Sequence, residues 1–219
     1  MGRNWTGRKH RCMEKKTITI ITPWLNSPEL IPTYIASVKG ADVIIIDNGS
    51  DELTRRKLAD IDATVIRNET NIGYSKANNQ GLKQAKDGIV VFLNNDIEAR
   101  GDWLEIVADF QPGALYGTQA ETRIVDGIPV RFLAGWCLCG HKSDFDRIGG
   151  WSEIWEGMYW EDNELCWRAE MAGLELKQVD LPLLHYSNYT TSRTPGAYDK
   201  RPSNQALFEQ IVREGRNAR

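Results

Sequence analysis

The chain has 219 residues, 41% hydrophobic and 26% charged, which is enough for one substantial core and too little for two large domains. Its formal net charge of −3 argues against a nucleic-acid binder, which would carry a basic face. The longest apolar stretches, Val43 to Ile46 and Ile89 to Leu93, are strand-length, far short of the about 18 residues a membrane helix needs.

In chain order, Arg3, Arg8, Lys9, Arg11, Lys15 and Lys16 crowd the start with only Glu14 against them and no apolar run behind, which predicts a disordered basic arm over 1–16 and no signal peptide. Thr17 to Thr22 is β-branched throughout and reads as a strand buried on both faces, stopping at Pro23. A helix is expected from Asn26-Ser27-Pro28, carried by Leu30, Ile31, Tyr34, Ile35 and Val38. Strand Val43–Ile46, helix Asp51–Leu58, strand Thr64–Ile66, helix Ser75–Ala85 and strand Ile89–Leu93 follow. This alternation predicts an α/β fold with a mostly parallel central sheet, helices on both faces, and ligands at the carboxyl ends of the strands.

Beyond Gly113 the pattern weakens to short β-like runs around Asp126-Gly127 and Pro129, expected to form a small mixed-sheet extension. Asp162 to Ala172 has helical spacing and stops at Gly173, and Glu175–Val179 and Leu183–Tyr186 read as strands completing a domain over 17–186. Residues 187–219 are expected to be a mobile loop and a helix from Ser203 to about Arg213 that braces the domain. The four cysteines, Cys12, Cys137, Cys139 and Cys166, lack zinc spacing and are expected to be free thiols in a reducing compartment, hence a cytoplasmic protein.

Polar residues cluster where strands end. Asp47 ends a buried strand before Asn48-Gly49-Ser50 and could accept hydrogen bonds from a nucleobase or ribose, although a tight turn with a helix cap would use the same residues. In Asn71-Ile72-Gly73-Tyr74-Ser75-Lys76, glycine at a helix start lets amides approach a phosphate and Lys76 adds charge; an ordinary turn with a solvated lysine would look the same. Asn94-Asn95-Asp96 delivers oxygen ligands suited to Mg²⁺ or Mn²⁺, or an Asx turn. Glu161 and Asp162 open a helix, where the helix end favours ionised carboxylates, and Asp162 is a candidate general base or a cap. Trp136 and Trp160 are candidates for an acceptor and sugar pocket, since aromatic rings stack on sugar faces. His185 ends an apolar run and is either a core histidine or a ligand for a Mn²⁺-like ion.

Together these segments resemble glycosyltransferase family 2, inverting enzymes of the GT-A fold. The carrying residues are Asp47-Asn48-Gly49-Ser50, Asn71-x-Gly73 with Asn79-x-Gly81, Leu93-Asn94-Asn95-Asp96, Gly149-Gly150-Trp151, and Trp160 to Arg168 leading to His185. The Leu-Asn-Asn-Asp form looks most like the rhamnosyltransferase-like branch. The resemblance implies a nucleotide diphosphate sugar donor, a hydroxyl acceptor on a glycan, glycolipid or protein, a divalent metal, and no nucleic-acid partner; with no membrane helix, peripheral membrane contact stays open. It implies that Asp47 binds the base, Asp96 ends a DXD-like motif, His185 completes the metal site and Asp162 is the catalytic base, with Glu161 beside it as a second candidate. Asn94 departs from the family by standing where many relatives have aspartate. Arg193, with Lys200 and Arg201, is expected on a loop closing over the diphosphate. A sugar nucleotidyltransferase is the neighbouring alternative, but it should show a glycine- and arginine-rich loop where Pro23-Trp24-Leu25-Asn26 stands; a non-catalytic sugar-nucleotide or glycan-binding module is the other.

Overall fold

A computed structural model describes residues 16–187, 189, 191–193, 196 and 198–217. The expected basic arm lies outside them except for Lys16, as does Cys12. The first half is a run of β1 (Ile18–Trp24), α1 (Ile31–Ser37), β2 (Asp42–Asn48), α2 (Glu52–Ala59), β3 (Thr64–Asn68), α3 (Tyr74–Gln84) and β4 (Ile89–Leu93). β5 (Ile97–Ala99), α4 (Trp103–Ala108), β6 (Ala114–Gly117), β7 (Ala120–Val125), β8 (Ile128–Leu133), β9 (Cys137–His141) and α5 (Lys142–Arg147) follow. The chain closes with α6 (Glu161–Met171), β10 (Glu175–Gln178), β11 (Leu183–His185) and α7 (Arg201–Asn217).

The main sheet has seven strands in the order β10-β6-β9-β4-β1-β2-β3. Every pairing in it is parallel except those of β9, which runs antiparallel to both β4 and β6. Alternating side chains divide the core. Ile20, Ile45, Val91 and Cys139 face one layer with Tyr34, Leu58 and Trp103 from α1, α2 and α4. Ile21, Val90, Phe92 and Leu138 face the other with Leu82, Phe145 and Leu165 from α3, α5 and α6. Burial on both faces is why β4 reads as an unbroken apolar run and β1 as a β-branched run of Ile and Thr.

Two small ladders stand outside the main sheet. β7 and β8 form a hairpin whose two-residue turn, Asp126 (φ 48°) and Gly127 (φ 77°), has both residues in the left-handed region, the geometry that matches strand twist. β5 pairs antiparallel with β11, placing Ile97 opposite His185. The expected strand at Leu183–Tyr186 therefore belongs to this peripheral ladder rather than the main sheet. A third apolar cluster joins Val125 and Val130 of the hairpin, Trp155, Trp160, and Phe208 and Val212 of α7.

Candidate active site

Strand order reverses direction at β1, with β2 on one side and β4 on the other, and the loops leaving these strands part to open a crevice. The resulting cleft has a volume of about 590 Å³ and is lined by Trp24 at the end of β1, Asn48 at the end of β2 and Asn94, Asn95 and Asp96 after β4.

One part of the wall is the turn into α3. Asn48 organises it: its Nδ2 donates to Asn71 Oδ1 (2.8 Å), and its Oδ1 accepts from Ile72 N (3.1 Å). Asn71 Oδ1 also accepts from Gly73 N at 2.9 Å, so the turn is tied down before α3 begins. Lys76, in the first turn of α3, is exposed and lines the cleft. Tyr74 donates from its hydroxyl to Gly135 O at 2.9 Å, and burial, then the charge of Glu161, pushes its phenol far above the usual range.

A second part is built by the β5–β11 ladder. It brings His185 Nε2 to 3.1 Å from Asp96 Oδ1, while Tyr189 N donates to Asp96 Oδ2 at 3.2 Å. Trp136 stacks on the His185 imidazole with ring centroids 4.6 Å apart and planes 12° from parallel. Asp96 is 3% exposed, yet both it and His185 line the cleft. Among the described residues no group of three His, Cys, Asp or Glu side chains converges as a self-sufficient metal cage. A carboxylate and an imidazole whose donor atoms converge fit a divalent ion that takes its other oxygens from phosphate and water.

The third part is the start of α6. Trp160, its N-terminal flanking residue, is left-handed (φ 81°) and offers no side-chain cap, and Glu161, Asp162 and Glu164 crowd the first turn, where the helix end favours negative charge. Asp162 Oδ2 accepts from Gly135 N (3.0 Å) and its Oδ1 from Asn163 N (2.8 Å). Glycine favours this approach, because a Cβ at position 135 would lie 3.1 Å from Asp162 Cβ and push the carboxylate back by a few tenths of an ångström. Burial raises both carboxyls. Glu161 is pushed up to about 8, by burial first and then by the charge of Asp162, and its Oε2 is buried without a hydrogen-bond partner. Asp162 is also raised by burial, while the N–H groups of Gly135 and Asn163 pull it back.

Residues 19–113 match the Glycosyl transferase family 2 model. In this segment, which holds β1 to β5 and α1 to α4, the chain is similar to glycosyltransferase family 2. It is similar to a pre-mycofactocin glycosyltransferase of Mycobacterium tuberculosis, 24% identical across 86% of this chain and 45% of that protein. It is also similar to the low-salt glycan biosynthesis hexosyltransferase Agl10 of Haloferax volcanii, 24% identical across 75% of this chain and 65% of that one. The chain thus spans about half to two thirds of the length of these relatives. Among solved structures, the mannosyltransferase PcManGT from Pyrobaculum calidifontis, in complex with GDP-Man and Mn²⁺, superposes with a TM-score of 0.61 at 16% identity, covering 77% of this chain and 56% of that one. TarS 1-349 of S. aureus gives 0.59 at 17% identity, covering 78% and 61%. These neighbours support the GT-A fold, an α/β unit with a mostly parallel central sheet and small antiparallel additions.

Of the family 2 positions named from sequence, Asn71, Gly73, Lys76, Asn94, Asn95, Asp96, Trp136, Glu161, Asp162 and His185 all line one cleft. Three others do not. Asp47 is fully buried: Oδ1 accepts from Ser50 N at 3.0 Å, and Arg55 Nε and Arg67 Nη1 lie 3.9 and 3.8 Å from Oδ2. Strand alternation sends Asp47 and Asn48 to opposite faces, and Asn48 has the cleft. Trp160 is core rather than sugar pocket, 6% exposed, tilted against Phe208 and covered by the Arg123 guanidinium 4.6 Å from its ring. Arg193 is folded on its own segment, donating to Tyr189 O at 2.8 Å with its guanidinium over the Tyr189 ring. Lys200 pairs with Glu156 at 2.7 Å and Arg201 lies over the Tyr159 ring. Asn48 and Tyr74 also line the cleft, and their only signal in the sequence is their place beside Asp47 and Gly73 in the two motifs.

Proposed function

We propose that this chain transfers a sugar from a nucleoside diphosphate sugar to a hydroxyl acceptor by a single displacement that inverts the anomeric centre. The observation that carries the reading is the meeting, in one cleft, of the Asp96–His185 pair with the Glu161–Asp162 pair. The turn from Asn71 to Lys76 supplies amides and a cation for the diphosphate. The GDP-Man and Mn²⁺ of the Pyrobaculum neighbour support a nucleotide sugar and a divalent ion here. Asp96 and His185 would hold that ion, which when bound supplies positive charge beside the departing diphosphate.

Asp162 is the general base. It is the carboxylate that accepts two backbone N–H bonds, which favour the ionised form, whereas Glu161, pushed up to about 8 with its Oε2 unpartnered, holds its proton at neutral pH. Asp162 takes the acceptor hydroxyl proton as that oxygen bonds to the anomeric carbon and the bond to the diphosphate breaks. The acceptor is a glycan, glycolipid or protein. With Asp47 buried between two arginines, base recognition by its carboxylate requires those side chains to swing aside. Among the described residues no helix is long and apolar enough to cross a membrane. The buried free thiols of Cys137, Cys139 and Cys166 support a reducing, cytoplasmic setting.

Product analysis with a panel of nucleotide sugars and Mn²⁺ tests the reading. Release of nucleoside diphosphate is expected, reduced about 10²- to 10⁴-fold in Asp162→Asn. Formation of pyrophosphate instead, or full turnover in that variant, overturns it.

A further inference from the structure

We infer that Asn204, on α7 and outside the cleft, is a positioning residue that holds the left-handed turn on which the Glu161–Asp162 pair is mounted. The backbone immediately before α6 is unusual for its residues: Tyr159 (φ 77°) and Trp160 (φ 81°) are consecutive bulky aromatic residues in the left-handed region, where such side chains meet the backbone. Nothing in the first turn of α6 caps this conformation through a side chain of Trp160. A conformation that costs energy persists only where its surroundings over-determine it.

Those surroundings come from α7. Asn204 is 4% exposed, and its Nδ2 lies 2.9 Å from Glu156 O, 3.2 Å from Tyr159 O and 3.4 Å from Met158 O. One amide group thus gathers three carbonyls of a four-residue stretch, and Glu156, Met158 and Tyr159 all line the cleft. Below it, Phe208 of α7 supports the Trp160 ring at 5.4 Å. The turn is therefore fixed by polar contacts on its backbone and apolar contacts on its side chain, both from one helix. A shift of the turn would carry Glu161 and Asp162 with it, since they are the next two residues. Effects of this kind are large for a group that must sit in reach of a reacting proton.

This inference rests on the proposed transfer reaction for its catalytic consequence, but the holding of the turn is measurable without it. Asn204→Asp keeps the size of the side chain and replaces the shared donor with an oxygen facing three carbonyls, and Asn204→Ala removes the group altogether. In both full-length variants, hydrogen–deuterium exchange should quicken in peptides covering 156–165 while peptides from β1 and β4 keep their protection. The kcat for transfer should fall at least tenfold, with the donor KM within about twofold of the parent, because the donor turn at Asn71–Lys76 is untouched. Unchanged exchange over 156–165 in both variants overturns the inference, as does quickened exchange with unchanged kcat. Equal quickening in β1 and β4 would mark Asn204 as a general stability residue and also overturn it. If the parent turns over no nucleotide sugar, the proposed function fails on its own, and the exchange result still decides whether Asn204 holds the turn.

Discussion

Replacing Glu161 by glutamine should stabilise the protein, and by more as the pH rises. In the unfolded chain this carboxyl ionises near its ordinary value of 4.5, whereas in the fold burial and Asp162 push it up to about 8. A carboxyl raised in the folded state is neutral there while the unfolded state has already lost its proton. The unfolded state is therefore favoured increasingly as pH climbs from 4.5 to about 8, and the effect levels off above. At 1.36 kcal/mol per unit the full shift corresponds to about 4–5 kcal/mol, which partial exposure of the side chain reduces to roughly 3. Glutamine has the same shape and no charge to lose. Its advantage should be about 1 kcal/mol at pH 5.5 and roughly 3 at pH 9. For a chain of this size that difference widens the gap in melting temperature by roughly 4–8 °C. Differential scanning calorimetry of parent and variant at both pH values is the assay. A gap that stays constant, or narrows at pH 9, would refute the assignment of Glu161 as the neutral member of the pair.

Kinetics separate the two carboxylates: Glu161→Gln should keep kcat within about tenfold of the parent, whereas Asp162→Asn loses about 10²- to 10⁴-fold, and the reverse ranking in a steady-state assay would move the base to Glu161. Gly135→Ala places a methyl 3.1 Å from Asp162 Cβ, so kcat should drop by about tenfold with little change in donor KM, as initial rates across donor concentration will report. Asp96→Ala should abolish the extra thermal stabilisation that Mn²⁺ adds to a bound nucleoside diphosphate, leaving the nucleotide's own effect; a retained Mn²⁺ increment would place the ion elsewhere.

The parallel half of the fold was legible because its strands are covered on both faces, so Thr17 to Thr22 appears as a β-branched run and Val43 to Ile46 and Ile89 to Leu93 as apolar runs between helical patterns. α1 is shorter than expected: Asn26 and Ser27 are left-handed (φ 53° and 60°), so the residues read as a helix start form a turn, and helical conformation begins at Ile31. That turn has a task, since Asn26 Oδ1 accepts from Asp51 N at 2.8 Å and ties the loop after β1 to the start of α2. β5 and α5 escaped notice because three and six residues carry too little periodicity to register. β9 left only the Cys137-x-Cys139 alternation, whose sulfurs do lie 4.0 Å apart on one face.

The site shows where a motif stops being informative. Asp96 and His185 are 89 positions apart, and no periodicity connects them; the β5–β11 ladder does, through three residue pairs. Asp162 depends likewise on Gly135, whose amide it accepts from and whose missing side chain leaves it room. Strand ends could be located from sequence, but which of two adjacent residues reaches the cleft depends on the face each presents and on what competes for it. Asp47 illustrates this, because Arg67, its register partner on β3, and Arg55 on α2 are basic side chains on neighbouring elements that draw the carboxylate inward, leaving Asn48 at the cleft. The aromatic residues sort by the same rule. Trp136 lies over His185 and faces the cleft, whereas Trp160 turns away under Arg123 because a left-handed backbone aims its ring at α7. A tryptophan beside the two cleft carboxylates thus serves here by supporting the helix that carries them.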